Sequence, residues 1–288
     1  MSIKVKCKAV KDETTGMFIV DKSKRDERLY KEGYNNQGCL MKIIEYTDTL
    51  NIVVEFQDEH HYKMKSTYWN FVNGVIKNPY FKSIYNVACI GETTSRYLNG
   101  NIKKSYECWN SMIKRCYKDR KTNHSYVDVF VCDEWLIYAN FEKWYEENFY
   151  NIDGETMCLD KDILVKGNKI YSPSSCCFVP HNINILFIKN TKGKSYNGVY
   201  FNENGKVKRK YQARCSVRVK EKGKLIHIGS FYTEQEAFEA YRSFKLNYIR
   251  DVADMYKENL PNIVYNAILE HDIKKEKDVY ENKKGWEI

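Results

Sequence analysis

Residues 198–241 read GVYFNENGKVKRKYQARCSVRVKEKGKLIHIGSFYTEQEAFEAY. The middle of this stretch alternates. Ala213, Cys215, Val217 and Val219 fall on one side, and Gln212, Arg214, Ser216, Arg218 and Lys220 on the other. A period of two describes a strand with one buried face. The other face here is a row of cations and small polar groups, suited to phosphates and to base edges in a groove. Between Thr191 and Arg250 stand fourteen Lys and Arg against five Glu and no Asp, a net of +9. The whole chain also carries +9, so the positive field is concentrated in this stretch. A merely solvated surface mixes both signs, whereas this strand face carries no acid.

Working outward, strands are expected near 197–202, 210–220 and 224–231, and a helix from Thr233. Thr233 and Glu236 form a Thr-x-x-Glu capping box ahead of an apolar run. Ala237, Ala240, Tyr241, Phe244 and Tyr248 recur at helical spacing and are expected to pack on the sheet. Gly198-Val-Tyr, Tyr211-Gln-Ala-Arg, Ile228-Gly-Ser-Phe and the Thr-x-x-Glu-Ala-Phe-x-Ala-Tyr run resemble the AP2/ERF-type DNA-binding domain. The resemblance covers about a fifth of the chain. It implies a three-stranded antiparallel sheet on one helix, with the sheet in the major groove of duplex DNA. It implies DNA contacts from Tyr200, Arg209, Lys210, Gln212, Arg214, Ser216, Arg218 and Lys220. Tyr200 and Tyr211 stand where that family has tryptophans, so DNA binding carries over and the sequence read does not. A basic sheet also suits RNA, but the likeness is to readers of a duplex.

Upstream, Cys158 to Leu164 is strand-like, Val165 to Lys169 a turn, and Cys176 to Val179 a second strand. Pro180 fits the first turn of a helix running through His181, Asn184 and Phe187. Strand, loop, strand and helix in about thirty residues resemble the HNH, or ββα-metal, nuclease motif of phage homing endonucleases. Phe178-Val179-Pro180 matches that family's second strand and Asn184 its helical ligand. The flanking Trp109–Arg115 and Trp135–Trp144 segments are similar as well. The resemblance implies phosphodiester hydrolysis with catalytic residues Asp160, Asn184, Asp162 and His181. Asp160 and Asn184 would hold magnesium or manganese, since hard oxygen ligands suit these ions, and Lys161 or Lys169 would meet a phosphate. The family's general-base histidine aligns with Asp160, and no histidine stands in that strand. An aspartate at its ordinary pKa is a poor base near neutrality unless burial raises it. The alternative is therefore a nuclease frame without activity, serving as a DNA-binding regulator or a phage accessory factor against host defences.

The chain has 288 residues, enough for two or three modules. The expected class is α+β and multidomain. A small, mostly-β amino-terminal module spans 1–95, an HNH-like centre with flanking helices 96–190, an AP2-like domain 191–255, and a helical or frayed tail 256–288. In the first module a hairpin is expected over 38–57 around Asp48-Thr-Leu-Asn51, a strand at His61–Lys65, and a short helical turn at Tyr68–Val75. Its Asn-Asn-Gln-Gly and Lys-Asn-Pro-Tyr runs resemble a short module of phage endonuclease-like proteins. His60 and His61, as neighbours on a strand, would face opposite ways and share no metal. In the middle, Ser105–Tyr117 reads as a helix with Trp109, Met112, Ile113 and Cys116 on one stripe, Val127–Cys132 as a strand, and Asp133 as the cap of a second helix.

No run is long and apolar enough for a transmembrane helix, and the first residues lack the apolar core of a signal peptide. The expectation is a cytoplasmic protein, by resemblance a phage product in its bacterial host, with no membrane partner. Ten cysteines without a Cys-x-x-Cys pair then read as free thiols, with no zinc site. The oligomeric state is not legible in the sequence.

Overall fold

The computed structural model describes residues 10–11, 18–19, 24–93, 95–122, 126–187, 196–203, 207–219 and 222–273. The chain is mixed α and β, with several small sheets. It divides into two compact units: Met1–Asp119 with Asp133–Glu142, and Arg120–Cys132 with Lys143–Ile288. Among the described residues no helix is long and apolar enough to cross a membrane.

The first unit opens with a short antiparallel pair, β1 (Val10–Lys11) and β2 (Phe18–Ile19), and the single turn α1 (Arg25–Arg28). A four-stranded antiparallel sheet follows in sequence order: β3 (Glu32–Tyr34), β4 (Leu40–Tyr46), β5 (Ile52–Phe56) and β6 (Lys63–Ser66). Met41 and Ile43 of β4 point inward with Ile52, Val54 and Phe56 of β5. Strict alternation would turn Tyr46 outward. A register shift between Ile43 and Glu45 inserts one residue and brings Tyr46 back to the core. The expected turn forms at Asp48, whose Oδ1 accepts the amides of Leu50 and Asn51 at 2.7 and 2.9 Å. α2 (Tyr68–Val72) is capped by Thr67 and buries Phe71 against the sheet.

Residues 58–61 form a turn, so β6 begins later than the sequence suggests. His60 stacks on Tyr80 with ring centroids 4.0 Å apart, and His61 pairs with Glu55 at 3.3 Å. The hairpin of β7 (Tyr97–Leu98) and β8 (Asn101–Ile102) leads to α3 (Lys104–Ile113), which continues as a π-turn over Lys114–Lys118. The predicted stripe of Trp109, Met112, Ile113 and Cys116 is fully buried. Trp109 donates its Nε1–H to the Trp135 carbonyl at 2.7 Å.

The expected strand at 127–132 shrinks to β9 (Phe130–Val131), because its parallel partner β11 (Ile170–Tyr171) offers only two residues. Asp133 opens a 3₁₀ turn to Leu136 rather than an α-helix, and α4 (Tyr138–Asn148) starts after it.

In the second unit β10 (Met157–Asp160) pairs antiparallel with β12 (Cys177–Pro180), followed by α5 (His181–Asn184) and a 3₁₀ turn over Ile185–Phe187. β10 is shorter than the 158–164 strand read from the sequence. Asp160 turns the chain with its own side chain, so Asp162, Ile163 and Leu164 lie in the loop. Phe178 packs one side of this hairpin against Trp144, Tyr145 and Phe149, with ring centroids 5.2–5.4 Å away.

The three-stranded antiparallel sheet is β13 (Val199–Phe201), β14 (Tyr211–Val219) and β15 (Lys222–Phe231), with β14 in the middle. α6 (Glu234–Met255) lies across it, and α7 (Asn262–Leu269) follows. The capping box forms as read. Thr233 Oγ1 accepts the Glu236 amide at 3.2 Å, and Glu236 Oε2 accepts the Thr233 amide at 3.3 Å. Thr233→Ala is expected to lower stability by about 1 kcal/mol, measurable as a shift of the denaturant midpoint.

α6 serves two cores. Ala237, Phe238 and Tyr241 meet Val199, Ala213, Cys215 and Val217 of the sheet. Ile249, Val252 and Ala253 meet Cys177, Val179 and Ile183 of the hairpin and α5. One uninterrupted helix thus serves two apolar clusters among the described residues of the second unit.

Candidate functional site

Two places in the second unit carry the residues singled out by the sequence. The first is the β10–β12 hairpin with α5. Asp160 pairs with Cys177 at one end of the ladder and Met157 with Pro180 at the other. α5 leaves from Pro180, so its start lies three residue pairs from Asp160, about 10 Å at the rise of a strand. Asp160 Oδ1 accepts the amides of Asp162 and Ile163 at 2.7 and 2.8 Å. Burial pushes its carboxyl above the usual carboxylate range. The two amides act against that shift, the neighbouring Asp162 charge adds to it, and Lys161 offsets it further.

Asp162 sits beside Asp160 but is engaged by the Lys161 ammonium. Lys161 is nearly buried, its ammonium 5.9 Å from the Tyr171 ring centroid, so it is spent on this loop and is not available to a phosphate. Lys169 is exposed. His181 stands at the other end of the ladder, its Nδ1 3.7 Å from Cys158 Sγ. Asn184 is half-buried at the last turn of α5.

The structure therefore brings Asp160, Lys161 and Asp162 together, and Cys158 with His181. Among the described residues no hydrogen bond or ion pair joins Asp160 to His181 or Asn184. By chemistry alone, carboxylate and amide oxygens are donors of the kind that magnesium or manganese take. Asp160 Oδ2 is not committed to the turn, Asn184 supplies an amide oxygen, and such ions keep several waters and take only one or two carboxylates.

The second place is the outer face of the sheet. The alternation read from the sequence holds. Ala213, Cys215 and Val217 are buried, while Gln212, Arg214 and Arg218 are partly exposed and Ser216 is exposed. Arg214 stacks on Tyr200, its guanidinium carbon 5.0 Å from the ring centroid, and donates to Gln212 Oε1 at 2.5 Å. The pairing holds the guanidinium over an aromatic ring on the open side of the sheet.

Arg209 lies over the Tyr232 ring at 5.2 Å, and Lys210 is exposed beside it. Tyr211 packs against Phe201 with the apolar side rather than beside Tyr200. Arg218 differs from Arg214: its Nη1 donates to Asn182 Oδ1 at 3.2 Å. Asn182 in turn donates to the Tyr256 hydroxyl at 3.1 Å, which donates to Glu155 at 2.6 Å. Arg218 thereby ties the sheet to α5. Lys220 lies outside the described residues.

Two residues of this face escaped the sequence reading. His227 and Leu225 pair across from Arg214 and Ser216 and are exposed on the same side. Register is needed to find them, because the shift between Ala213 and Arg214 breaks simple counting along β15. No protein-family model matches the chain, no curated protein is similar to it, and no solved structure matches it.

Proposed function

We propose that this chain binds duplex DNA through the outer face of the β13–β15 sheet and hydrolyses a phosphodiester at the β10–β12–α5 centre, in the manner of an HNH-like endonuclease of phage type with an AP2-like binding domain. The observation that carries the binding half is the solvent-facing set of Tyr200, Arg209, Lys210, Gln212, Arg214 and Ser216, with no acid among them. Cations and directed donors on a strand surface supply both phosphate and base-edge contacts. Arg209 and Arg214 are held by stacking on tyrosines, which limits the side-chain entropy lost on binding.

Asp160 supports the hydrolytic half. Its carboxyl is pushed up chiefly by burial and further by the Asp162 charge, with the two amides and Lys161 acting against the shift. A divalent cation held by Asp160 and Asn184 would also act against it. Such an ion lowers the pKa of its own water and takes up charge on the phosphate oxygens. The chain's part is to hold Asp160 in place through the Asp162 and Ile163 amides.

The second reading is a binding protein with an inactive frame. It is favoured by the lack of a histidine on β10 and by the turn-capping bonds of Asp160, which a structural carboxylate would also make. A plasmid-nicking assay with magnesium separates the two. Wild type should convert supercoiled plasmid to the open-circular form, and Asn184→Ala should not. Bound but uncut DNA with every substrate would leave only the regulator.

For binding, Arg214→Ala is expected to weaken affinity. If the contact is to phosphate, the loss is alike on all sequences, and the slope of log K against log salt is shallower by about 0.9. Arg218→Ala is expected to affect the fold around Asn182 more than the salt slope, since its guanidinium is already engaged. An unchanged affinity in Arg214→Ala would show that DNA lies elsewhere.

A further inference from the structure

β13 stops pairing with β14 at Val199 opposite Ala213, and the last bond between them runs from the Arg214 amide to the Gly198 carbonyl at 2.8 Å. Beyond that point no strand of the described residues pairs with this edge of β14. The Arg218 amide on the same edge donates to the Tyr248 hydroxyl at 2.8 Å. In an antiparallel ladder successive amides point to alternate sides, so the Ser216 amide points to this edge, between those of Arg214 and Arg218. Among the described residues nothing accepts from it.

A cavity of about 200 Å³ lies at this gap. Arg214, Ser216 and Tyr200 line it from the sheet, Tyr241 and Lys245 from α6, and Asn197 from the turn before β13. Lys245 is half-buried, and its ammonium lies 5.5 Å from the Tyr248 ring centroid. Among the described residues no carboxylate pairs with it. Burial holds its pKa below the usual lysine value, with the Cys215 thiol the smaller, opposing influence. A partly buried cation without an anion beside it favours an anionic ligand, and the Ser216 amide offers a directed donor next to it.

We propose that this cavity is a binding site for a phosphate monoester, with the Lys245 ammonium and the Arg214 guanidinium supplying charge and the Ser216 amide and hydroxyl supplying directed donors. The charge matches, since a monoester carries about −1.5 to −2 near neutrality. The shape favours a monoester over a diester within a strand. A diester must lead two covalent bonds out of the pocket, whereas α6 walls it below and β14 beside. The site does not depend on cleavage and survives the loss of the nuclease reading. The monoester is either free phosphate or the terminal phosphate of a nucleic-acid strand.

Inorganic phosphate titrated into the full chain by calorimetry should bind at one site, and the Ser216 amide resonance should move with saturation. Lys245→Met keeps the length and packing of the side chain and should weaken binding at least tenfold; Lys245→Gln should do the same. Short duplexes ending in 5′-phosphate or 5′-hydroxyl identify the source. Tighter binding of the phosphorylated duplex, reversed by inorganic phosphate, marks a strand end; equal binding of the two, with inorganic phosphate still bound at the one site, marks the free ion. No saturable phosphate binding by wild type, or equal affinity in both Lys245 variants, overturns the proposal.

Discussion

Asp160→Asn is expected to fold, to gain stability relative to wild type as pH rises above the carboxylate range, and to lose all response to magnesium. The asparagine Oδ1 still accepts the amides of Asp162 and Ile163, so the turn after β10 persists. Wild type carries a carboxyl whose pKa is raised on folding, chiefly by burial. Such a group costs the folded state nothing below the unfolded value near about 4. As pH climbs through that value toward the raised one, the folded state is progressively penalised. The neutral amide escapes the penalty.

A cation that binds only the folded wild type reverses the order. At 100 times its dissociation constant it contributes about 2.7 kcal/mol. Asp160→Ala is different again. It strands two amides and is expected to cost about 1–3 kcal/mol at any pH. Denaturant titrations of the three proteins, with and without magnesium, decide the matter. If magnesium stabilises wild type and Asp160→Asn alike, the carboxylate is a turn cap and nothing more.

Gly198→Ala is expected to be the most damaging small substitution in the sheet. Gly198 has φ +77°, and a methyl group there would lie 2.1–2.3 Å from ring atoms of Tyr241. The backbone term is about 1–2 kcal/mol, and forcing a ring out of a packed core adds about 1–3 kcal/mol. Tyr241 is buried among Ala213, Cys215 and Ala237, with open space only on the side of the cavity it lines. A total near about 3 kcal/mol follows. Gly154 has a similar φ, +79°, with open space around it. Gly154→Ala therefore reports the backbone term alone, and the difference between the two unfolding free energies isolates the collision. Equal losses would show that Tyr241 moves aside freely.

The carboxyl-terminal sheet was the most legible part of the chain. Its alternation, its strands and its capping box are local signals, and each falls within one or two residues of its place. Where the reading failed, a long-range term decided. Ile163 and Leu164 look like a strand, but Asp160 bonds its own backbone and ends the pairing four residues sooner. Phe130–Val131 can be only as long as its partner Ile170–Tyr171. The inner pattern of α6 gave no hint that Ile249 and Val252 serve a second cluster, because periodicity marks a buried face and not what buries it. The relation of Asp160 to Asn184 was equally hidden, since it depends on which end of the hairpin the short helix leaves from.

That shared helix has a mechanical meaning. It runs twenty-two residues without glycine or proline, so it acts as a stiff ruler. From Tyr241 on the sheet to Val252 on the hairpin is roughly 16 Å of axial rise, the length of about five base pairs at 3.4 Å each. If the sheet grips DNA and the hairpin cuts it, as proposed, such a rod would hold the incision at a set offset from the gripped bases.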